Sequence, residues 1–457
     1  MDRSWKPTRR ARAGLGATLC FLVVVLLTTT YGTAPAGAST GRGSVPDASA
    51  VPAGSAAPAQ VNTQIPIVFV HGYLGSGAQY RSPAMRFDSN GYPANRIRAF
   101  DYNQDASGLD AFIDSVRREF NVTQVHVAAH SLGTLVMLGY LLNPFQAAKV
   151  DKYVALDGVS PICVWGTQCT SISASSLGQT HIEASLSPES FARQYQFFTG
   201  VAPTTTRITR QTGTIQIAGR ALNFQVNTPA TGTAGQLWPV DAATGARVGG
   251  SPVATFSIGA DGNFGPLNVT AGQPYEIQLS NSTGVMHFYY QPFIHSTYLL
   301  RLQVPEAGSG LVTNTNFGPN HAVAVVLRYR EWWRASSHGA QRDNLNIGTA
   351  GSAGNQPSVN VLQNVTGDVA GVHVQDNGTP GTSSLGLISY FSGQAFQTGV
   401  DVYMPAAGGP NGTITFSNNP RGDASRVQVI RTPNWPSMVG STRQAMLVEF
   451  DDYGGTQ

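Results

Sequence analysis

The sequence predicts an α/β domain followed by an all-β region. Up to about residue 200, short apolar runs alternate with segments whose apolar residues recur at helical spacing. This alternation is typical of a parallel sheet with helices on both faces. After residue 207 the apolar residues follow a period of two between turns rich in Gly, Asn and Asp, as in β-sandwiches and barrels. The charged fraction of only 12% excludes a coiled coil or a charge-driven disordered chain.

The N-terminus is predicted to be a secretory signal peptide over residues 1–38. Basic residues precede an apolar run from Leu15 to Leu27, and Ala36-Gly37-Ala38 is a small-residue cleavage site. The run is shorter than the ~20 residues that span a bilayer, which disfavours a membrane anchor. Residues 39–60 are rich in Ser, Ala, Pro and Gly and predict a flexible leader. We therefore expect a secreted protein.

The net charge of +3 is concentrated in the predicted signal peptide. The rest of the chain is close to neutral and offers no basic face, which disfavours a nucleic-acid partner. Nothing in the composition or the motifs implies an obligate protein partner either.

The predicted elements of the α/β domain (61–203) follow one another in regular order. They are a strand at Ile65–Val70, a strand at Arg96–Tyr102, a helix from Leu109 to Phe120, a strand at Gln124–Ala129, a helix at Leu132–Leu142 and a strand at Val150–Leu156. The β region is divided into a β-sandwich unit (207–285) and a β-rich unit (286–457).

The strongest chemical signal is Ser131, in Ala129-His130-Ser131-Leu132-Gly133 between a predicted strand and a predicted helix. A serine at such a turn is lifted above the sheet edge, and the residues two before and two after it must be small. Ala129 and Gly133 meet that need, so we interpret Ser131 as a nucleophile rather than a structural turn residue.

A nucleophilic serine needs two backbone N–H groups aimed at the oxyanion. One is expected from Leu132, directly after the nucleophile. The other is expected from Tyr73, in the Gly-rich segment His71-Gly72-Tyr73-Leu74-Gly75 after the first strand. A glycine-rich loop without a role is the alternative.

The acid and the base are expected downstream of Ser131. Asp157 follows a strand at the carboxyl end of the predicted sheet, where active sites collect. His181 lies in the loop before the last helix and is the expected base, with His295 of the β region as its rival. Asp157 would fix the tautomer of the imidazole and stabilise the imidazolium. Such a triad requires neither metal nor cofactor.

These segments resemble lipases of the α/β-hydrolase superfamily that carry Ala-His-Ser-x-Gly, and more closely the prokaryotic lipases with a C-terminal β domain, typified by an archaeal long-chain lipase. Leu156-Asp157-Gly158, Thr180-His181 and Ser187-Pro188-Glu189 are similar to that group's acid and base segments. The resemblance implies an α/β-hydrolase fold over 65–200 and a β domain that shapes or covers the lipid cleft.

Two further expectations concern binding and export. Leu74 and the aromatic residues Tyr289, Tyr290 and Phe293 are expected at the acyl pocket, although a core strand is an equal alternative for the aromatics. Cys163 and Cys169 are expected to form a disulfide, because two thiolates without a nearby histidine fall short of a zinc shell.

The sequence thus predicts a secreted carboxylic ester hydrolase of lipids, a lipase or carboxylesterase that associates transiently with lipid surfaces. A polyester depolymerase or an acyltransferase with the same triad remains open, as does a non-catalytic surface-binding protein.

Overall fold

Five short, largely apolar strands form the sheet of the N-terminal part. The computed structural model describes residues 65–103, 105–334 and 339–453, so the predicted signal peptide and leader lie outside the described residues. The strands are β1 (Ile67–Val70), β2 (Ile97–Phe100), β3 (Val125–His130), β4 (Val150–Leu156) and β5 (Gln168–Ile172). Their order is β2-β1-β3-β4-β5, and every neighbouring pair is parallel.

Helices cover both faces of this sheet. They are α1 (Arg81–Ser89), α2 (Leu109–Glu119), α3 (Leu132–Leu141), α4 (Pro144–Ala147), α5 (Ala174–Leu177), α6 (Glu183–Leu186) and α7 (Pro188–Thr199), with 3-10 turns at Gly77–Tyr80 and Ala94–Arg96. Successive side chains of a strand point to opposite faces. Val68 and Val70 therefore pack with α2 and α3, whereas Ile67 and Phe69 pack with α1 and α7. The predicted parallel sheet with helices is present here.

The remainder of the chain is mostly β-sheet, as predicted. Its strands are β6 (Thr214–Phe224), β7 (Thr228–Pro229), β8 (Ala234–Pro239), β9 (Ala254–Ser257), β10 (Asn263–Thr270), β11 (Tyr275–Asn281), β12 (Gly284–Tyr290), β13 (Thr297–Pro305), β14 (Ala324–Trp332), β15 (Asn344–Gly351), β16 (Gln356–Asn360), β17 (Val369–Gln375), β18 (Gln397–Asp401), β19 (Gly412–Asn419), β20 (Gln428–Pro433), β21 (Met438–Val439) and β22 (Thr442–Glu449). Short helices lie at α8 (Gly310–Thr313) and α9 (Ser389–Ser392), with 3-10 turns at Gly339–Gln341, Pro420–Gly422 and Ala424–Arg426.

These strands form three sheets. The largest has the order β18-β17-β14-β22-β12-β11-β8-β9, with β21 paired to β22. The second joins β10, β6 and β13, with β7 paired to β6, and the third has the order β16-β15-β19-β20. Two apolar cores fill the region, and the largest sheet contributes side chains to both.

Strand pairing corrects the predicted division between 285 and 286. That position lies inside β12, whose residues pair with β11 on one side and with the last strand, β22, on the other. Because the largest sheet runs continuously through this point, no separation of sheets occurs there. Among the described residues, no helix is both long and apolar enough to cross a membrane.

Candidate active site

Ser131 lies at a sharp turn between β3 and α3, with φ 53° and ψ −120°. A non-glycine residue at positive φ is strained and persists only when its surroundings hold it there. The neighbouring chain approaches closely, since a Cβ added to Gly72 would lie 2.9 Å from the Ser131 Cβ, and one added to Gly133 would lie 2.7 Å from the His71 carbonyl oxygen. The absence of side chains at Gly72 and Gly133 therefore allows this turn.

The structure brings Ser131, His181 and Asp157 together. The Nε2 of His181 lies 2.8 Å from the Ser131 Oγ, and its Nδ1 lies 2.6 Å from Asp157 Oδ2. The second carboxylate oxygen, Oδ1, accepts a hydrogen bond from the Ala174 amide at 2.7 Å. With Nδ1–H donating to Asp157, Nε2 is free to accept the serine proton.

The environment keeps Asp157 ionised. Burial raises the pKa of this carboxyl, but hydrogen bonds from the His181 ring and the Ala174 amide outweigh burial, and the pKa lies below its ordinary value. Desolvation, reinforced by the neighbouring His181, lowers the pKa of His130 well below its usual range. A neutral His130 ring can accept at Nδ1 from the Gln79 amide and donate at Nε2 to the His181 carbonyl, 2.9 Å away in each case.

The two predicted oxyanion donors lie beside the serine. Tyr73 borders the same cavity as Ser131 and His181, and Leu132 is the first residue of α3. Tyr73 and Leu132 also border one adjoining cavity. Within residues 65–103, 105–334 and 339–453, neither backbone amide has a protein acceptor, so both N–H groups are available to an oxyanion.

A largely apolar cavity leads away from Ser131. Leu74 borders it, but most of its wall comes from the β region. These apolar lining residues include Met286, Leu311, Phe317, Val325, Leu327 and Leu447. The cavity therefore lies between the α/β part and the β region of one compact unit, residues 59–457.

The three aromatic residues predicted to contact substrate lie elsewhere. Tyr289 is buried, and its hydroxyl accepts a hydrogen bond from the Trp435 indole at 2.8 Å. Tyr290 and Phe293 belong to a separate apolar core and contact each other. Tyr289 and Tyr290 lie in β12 inside the largest sheet, and Phe293 follows that strand and is buried in the same core as Tyr290, so all three residues form core, as the alternative interpretation has it.

Two other candidates are resolved by their contacts. Cys163 and Cys169 form the expected disulfide in the segment after Asp157. His295 is buried, with its Nδ1 donating to the Ser296 carbonyl and its Nε2 3.4 Å from Asp88, and it is not among the residues around Ser131. No group of three or more His, Cys, Asp or Glu is placed to hold a metal ion in the described chain.

Phe396 and Glu331 of the β region lie beside His181, and sequence reasoning missed both. The ring of Phe396 stacks on the His181 ring at 5.8 Å, and Glu331 of β14 accepts hydrogen bonds from Thr180 and Ile182. The strand of Glu331 also carries Arg328 and Arg330, so no signal in the sequence distinguished this carboxylate.

Two family models match the β region. The model of the lipase C-terminal domain matches residues 213–307, and a second model, described as a C-terminal domain, matches residues 310–454. Residues 213–307 are therefore similar to the C-terminal domain of lipases, and the two matches meet near residue 308 rather than at 285. No curated protein matches the chain.

Solved structures resemble the chain only distantly. An extracellular α/β-hydrolase from a Paenibacillus species is 13% identical, with a TM-score of 0.17 over 21% of this chain and 42% of that one. A Bacillus licheniformis lipase in its mature form is 21% identical, with a TM-score of 0.19 over 35% and 68% of the two chains. Its propeptide form is 11% identical, with a TM-score of 0.23 over 81% and 93%. Scores this low carry no argument about fold or activity.

Proposed function

We propose that the protein is a secreted α/β-hydrolase that cleaves carboxylic esters of lipids, related to the Ala-His-Ser-x-Gly lipases that carry a C-terminal β domain. The observation that carries the proposal is the continuous hydrogen-bonded row Asp157–His181–Ser131 at the end of an apolar cavity. The similarity of residues 213–307 to the C-terminal domain of lipases supports the same class.

In the proposed mechanism the Ser131 hydroxyl attacks the ester carbonyl while the His181 Nε2 accepts its proton. The Tyr73 and Leu132 amides donate hydrogen bonds to the tetrahedral oxyanion, and Asp157 stabilises the imidazolium. The alcohol leaves with the proton from His181. Water then attacks the acyl carbon and gives a proton to His181, which passes that proton to the Ser131 oxygen as the acyl bond breaks and the acid leaves.

The composition of the cavity wall supports an acyl chain as the occupant. Each buried methylene of a substrate contributes about 0.8 kcal/mol when it leaves water. The side chains of Met286, Phe317, Val325 and Leu327 offer such an environment within the same cavity as Ser131. A lipid ester can therefore use its chain for binding while the carbonyl lies at the nucleophile.

An exposed apolar patch supports association with a lipid surface. Six of the eleven large apolar side chains that are exposed in the described chain lie at the end of α3, in α4 and in the segment between β4 and β5. They are Leu142, Phe145, Val159, Ile162, Val164 and Trp165. A hydrogen bond from the Thr167 hydroxyl to the Ala147 carbonyl at 3.2 Å joins the two segments. Residues 158–182 contain no Asp, Glu, Lys or Arg, so little charge opposes contact with lipid.

The Cys163–Cys169 disulfide crosses the same segment and supports secretion, because disulfides persist in oxidising compartments. Val159 of the patch lies two residues after Asp157, whereas Leu142 and Phe145 follow the end of α3 that is farther from Ser131. We call these six exposed residues the α3–β5 patch.

Covalent labelling tests the enzymatic part of the proposal. A fluorophosphonate probe is expected to label the wild-type protein and not Ser131→Ala, and peptide mapping should identify Ser131 as the modified residue. An unlabelled wild-type protein would favour the non-catalytic, surface-binding alternative. For a labelled protein, triacylglycerol emulsions, soluble short esters, a polyester film and added alcohol acceptors separate lipase, esterase, depolymerase and acyltransferase.

A further inference from the structure

The peptide unit between His181 and Ile182 is held at both of its polar atoms by side chains. Its carbonyl oxygen accepts from His130 Nε2 at 2.9 Å, and its N–H donates to Glu331 Oε1 at 2.6 Å. The first partner belongs to the nucleophile turn and the second to the β region. Because a hydrogen bond to a charged group is stronger than one between neutral groups, this peptide plane resists rotation.

The carboxylate of Glu331 accepts its hydrogen bonds from residues 180–183. It is 1% exposed, and its Oε2 accepts from the Thr180 hydroxyl at 2.6 Å and from the Glu183 amide at 3.2 Å. Burial raises the pKa of this carboxyl, and the hydrogen bonds from residues 180–182 oppose that shift. Glu331 forms no ion pair within the described chain, since the neighbouring Arg328 and Arg330 bind Asp343 and Glu183.

A buried carboxylate without a cationic partner is costly, and here its hydrogen-bond donors come from the residues around His181. We propose that Glu331 is a positioning residue, which holds the His181 imidazole in register with Ser131 and Asp157 through the backbone of residues 180–183. The inference rests on the proposed function. In this role for Glu331, the β region positions the catalytic histidine as well as lining the cavity.

The alternative is that Glu331 only stabilises the start of α6, without an effect on catalysis. The two roles differ in kinetics. A displacement of about 1 Å in a catalytic group lowers the rate about 100-fold, and the same imidazole serves acylation and deacylation, so both steps slow together. A positioning role therefore predicts a loss of kcat with little change in KM, whereas a purely structural role predicts a lower Tm alone.

The experiment compares Glu331→Ala, Glu331→Gln and Glu276→Gln on a short soluble ester that does not depend on the acyl cavity. For Glu331→Ala we expect kcat to fall about 10- to 100-fold, with KM within about twofold of wild type. Glu331→Gln keeps one carbonyl oxygen for the Ile182 amide and should lose less. The rate of Ser131 labelling by a fluorophosphonate should fall by the same factor as kcat.

Glu276 provides the matched control. It is equally buried, and its partners Arg247 and His287 lie in the β region away from the triad. Glu276→Gln should lower Tm and leave kcat unchanged, with rates in all variants normalised to folded protein.

Glu183 keeps its ion pairs with Arg330 and Arg421 when Glu331 is altered, so the His181 segment stays attached to the β region. If Glu331→Ala does not fold, Glu331→Gln and Thr180→Val carry the test. Wild-type kcat in the folded Glu331 variants would overturn the positioning role while leaving the hydrolase intact. An inert wild-type protein would instead overturn the proposed function itself.

Discussion

The cavity beside Ser131 leads to a quantitative expectation for chain-length preference. Ala445 on β22 borders the cavity and pairs with Met286 of β12. Ala445→Leu adds three carbon atoms to that wall and should displace about two methylenes of a long acyl chain. At about 0.8 kcal/mol for each methylene, the loss is about 1.6 kcal/mol, or about 15-fold in kcat/KM. Short chains that do not reach Ala445 should be hydrolysed at the wild-type rate.

The assay is a series of p-nitrophenyl esters from butyrate to palmitate, with kcat/KM measured for each. Ala407→Leu is the control, because Ala407 is exposed and does not border the cavity. The reasoning fails if Ala445→Leu leaves the palmitate-to-butyrate ratio at the wild-type value, or if Ala407→Leu changes that ratio equally.

Two further predictions follow from the triad and the surface. Because the pKa of Asp157 is lowered, its carboxylate stays ionised as the pH falls below neutrality and its contribution to stability is lost only under more acidic conditions. The acid limb of the kcat/KM profile should therefore report a single proton, and Asp157→Asn should lower kcat by about 10⁴-fold; a two-proton limb would contradict this. Trp165→Ser should weaken sedimentation of the protein with phosphatidylcholine vesicles and leave hydrolysis of soluble esters unchanged. The control is Val248→Ser, at an exposed residue of the β region, which should bind vesicles as wild type does. Equal binding by Trp165→Ser and wild type would count against the α3–β5 patch.

The sequence could predict the parts of the site that depend on local backbone geometry. The need for small residues around Ser131 is a steric property of one turn, and the close approaches at Gly72 and Gly133 are its structural counterpart. The position of Asp157 follows from a strand end in a parallel sheet, and that of His181 from a loop before a helix, downstream of the acid; the structure brings both to Ser131. Their catalytic roles remain a prediction until labelling and kinetics are done.

The lining of the cavity could not be predicted, because apolar residues form the same sequence patterns whether they line a cavity or fill a core. The segment from Tyr289 to Phe293 is aromatic and uncharged, which suits a pocket wall and a core equally. In the structure Tyr289 and Tyr290 lie in β12 inside the largest sheet, and Phe293 packs in the same core as Tyr290. The residues that do line the cavity come from several separate elements, among them β12, β14 and β22, which approach one another only after the β region has folded.

Strand β14 contributes both to the wall of the cavity and to the proposed positioning of His181. Its residues Val325, Leu327 and Tyr329 border the cavity, and Glu331 binds the segment that carries His181. A strand is stiff along its length, so a shift that reshapes the cavity wall also moves the carboxylate that holds the base. Chain-length preference and turnover are therefore expected to change together in variants that displace β14. They should change separately in Ala445→Leu, which alters only the cavity wall, and in Glu331→Gln, which alters only the hydrogen bonds to residues 180–183.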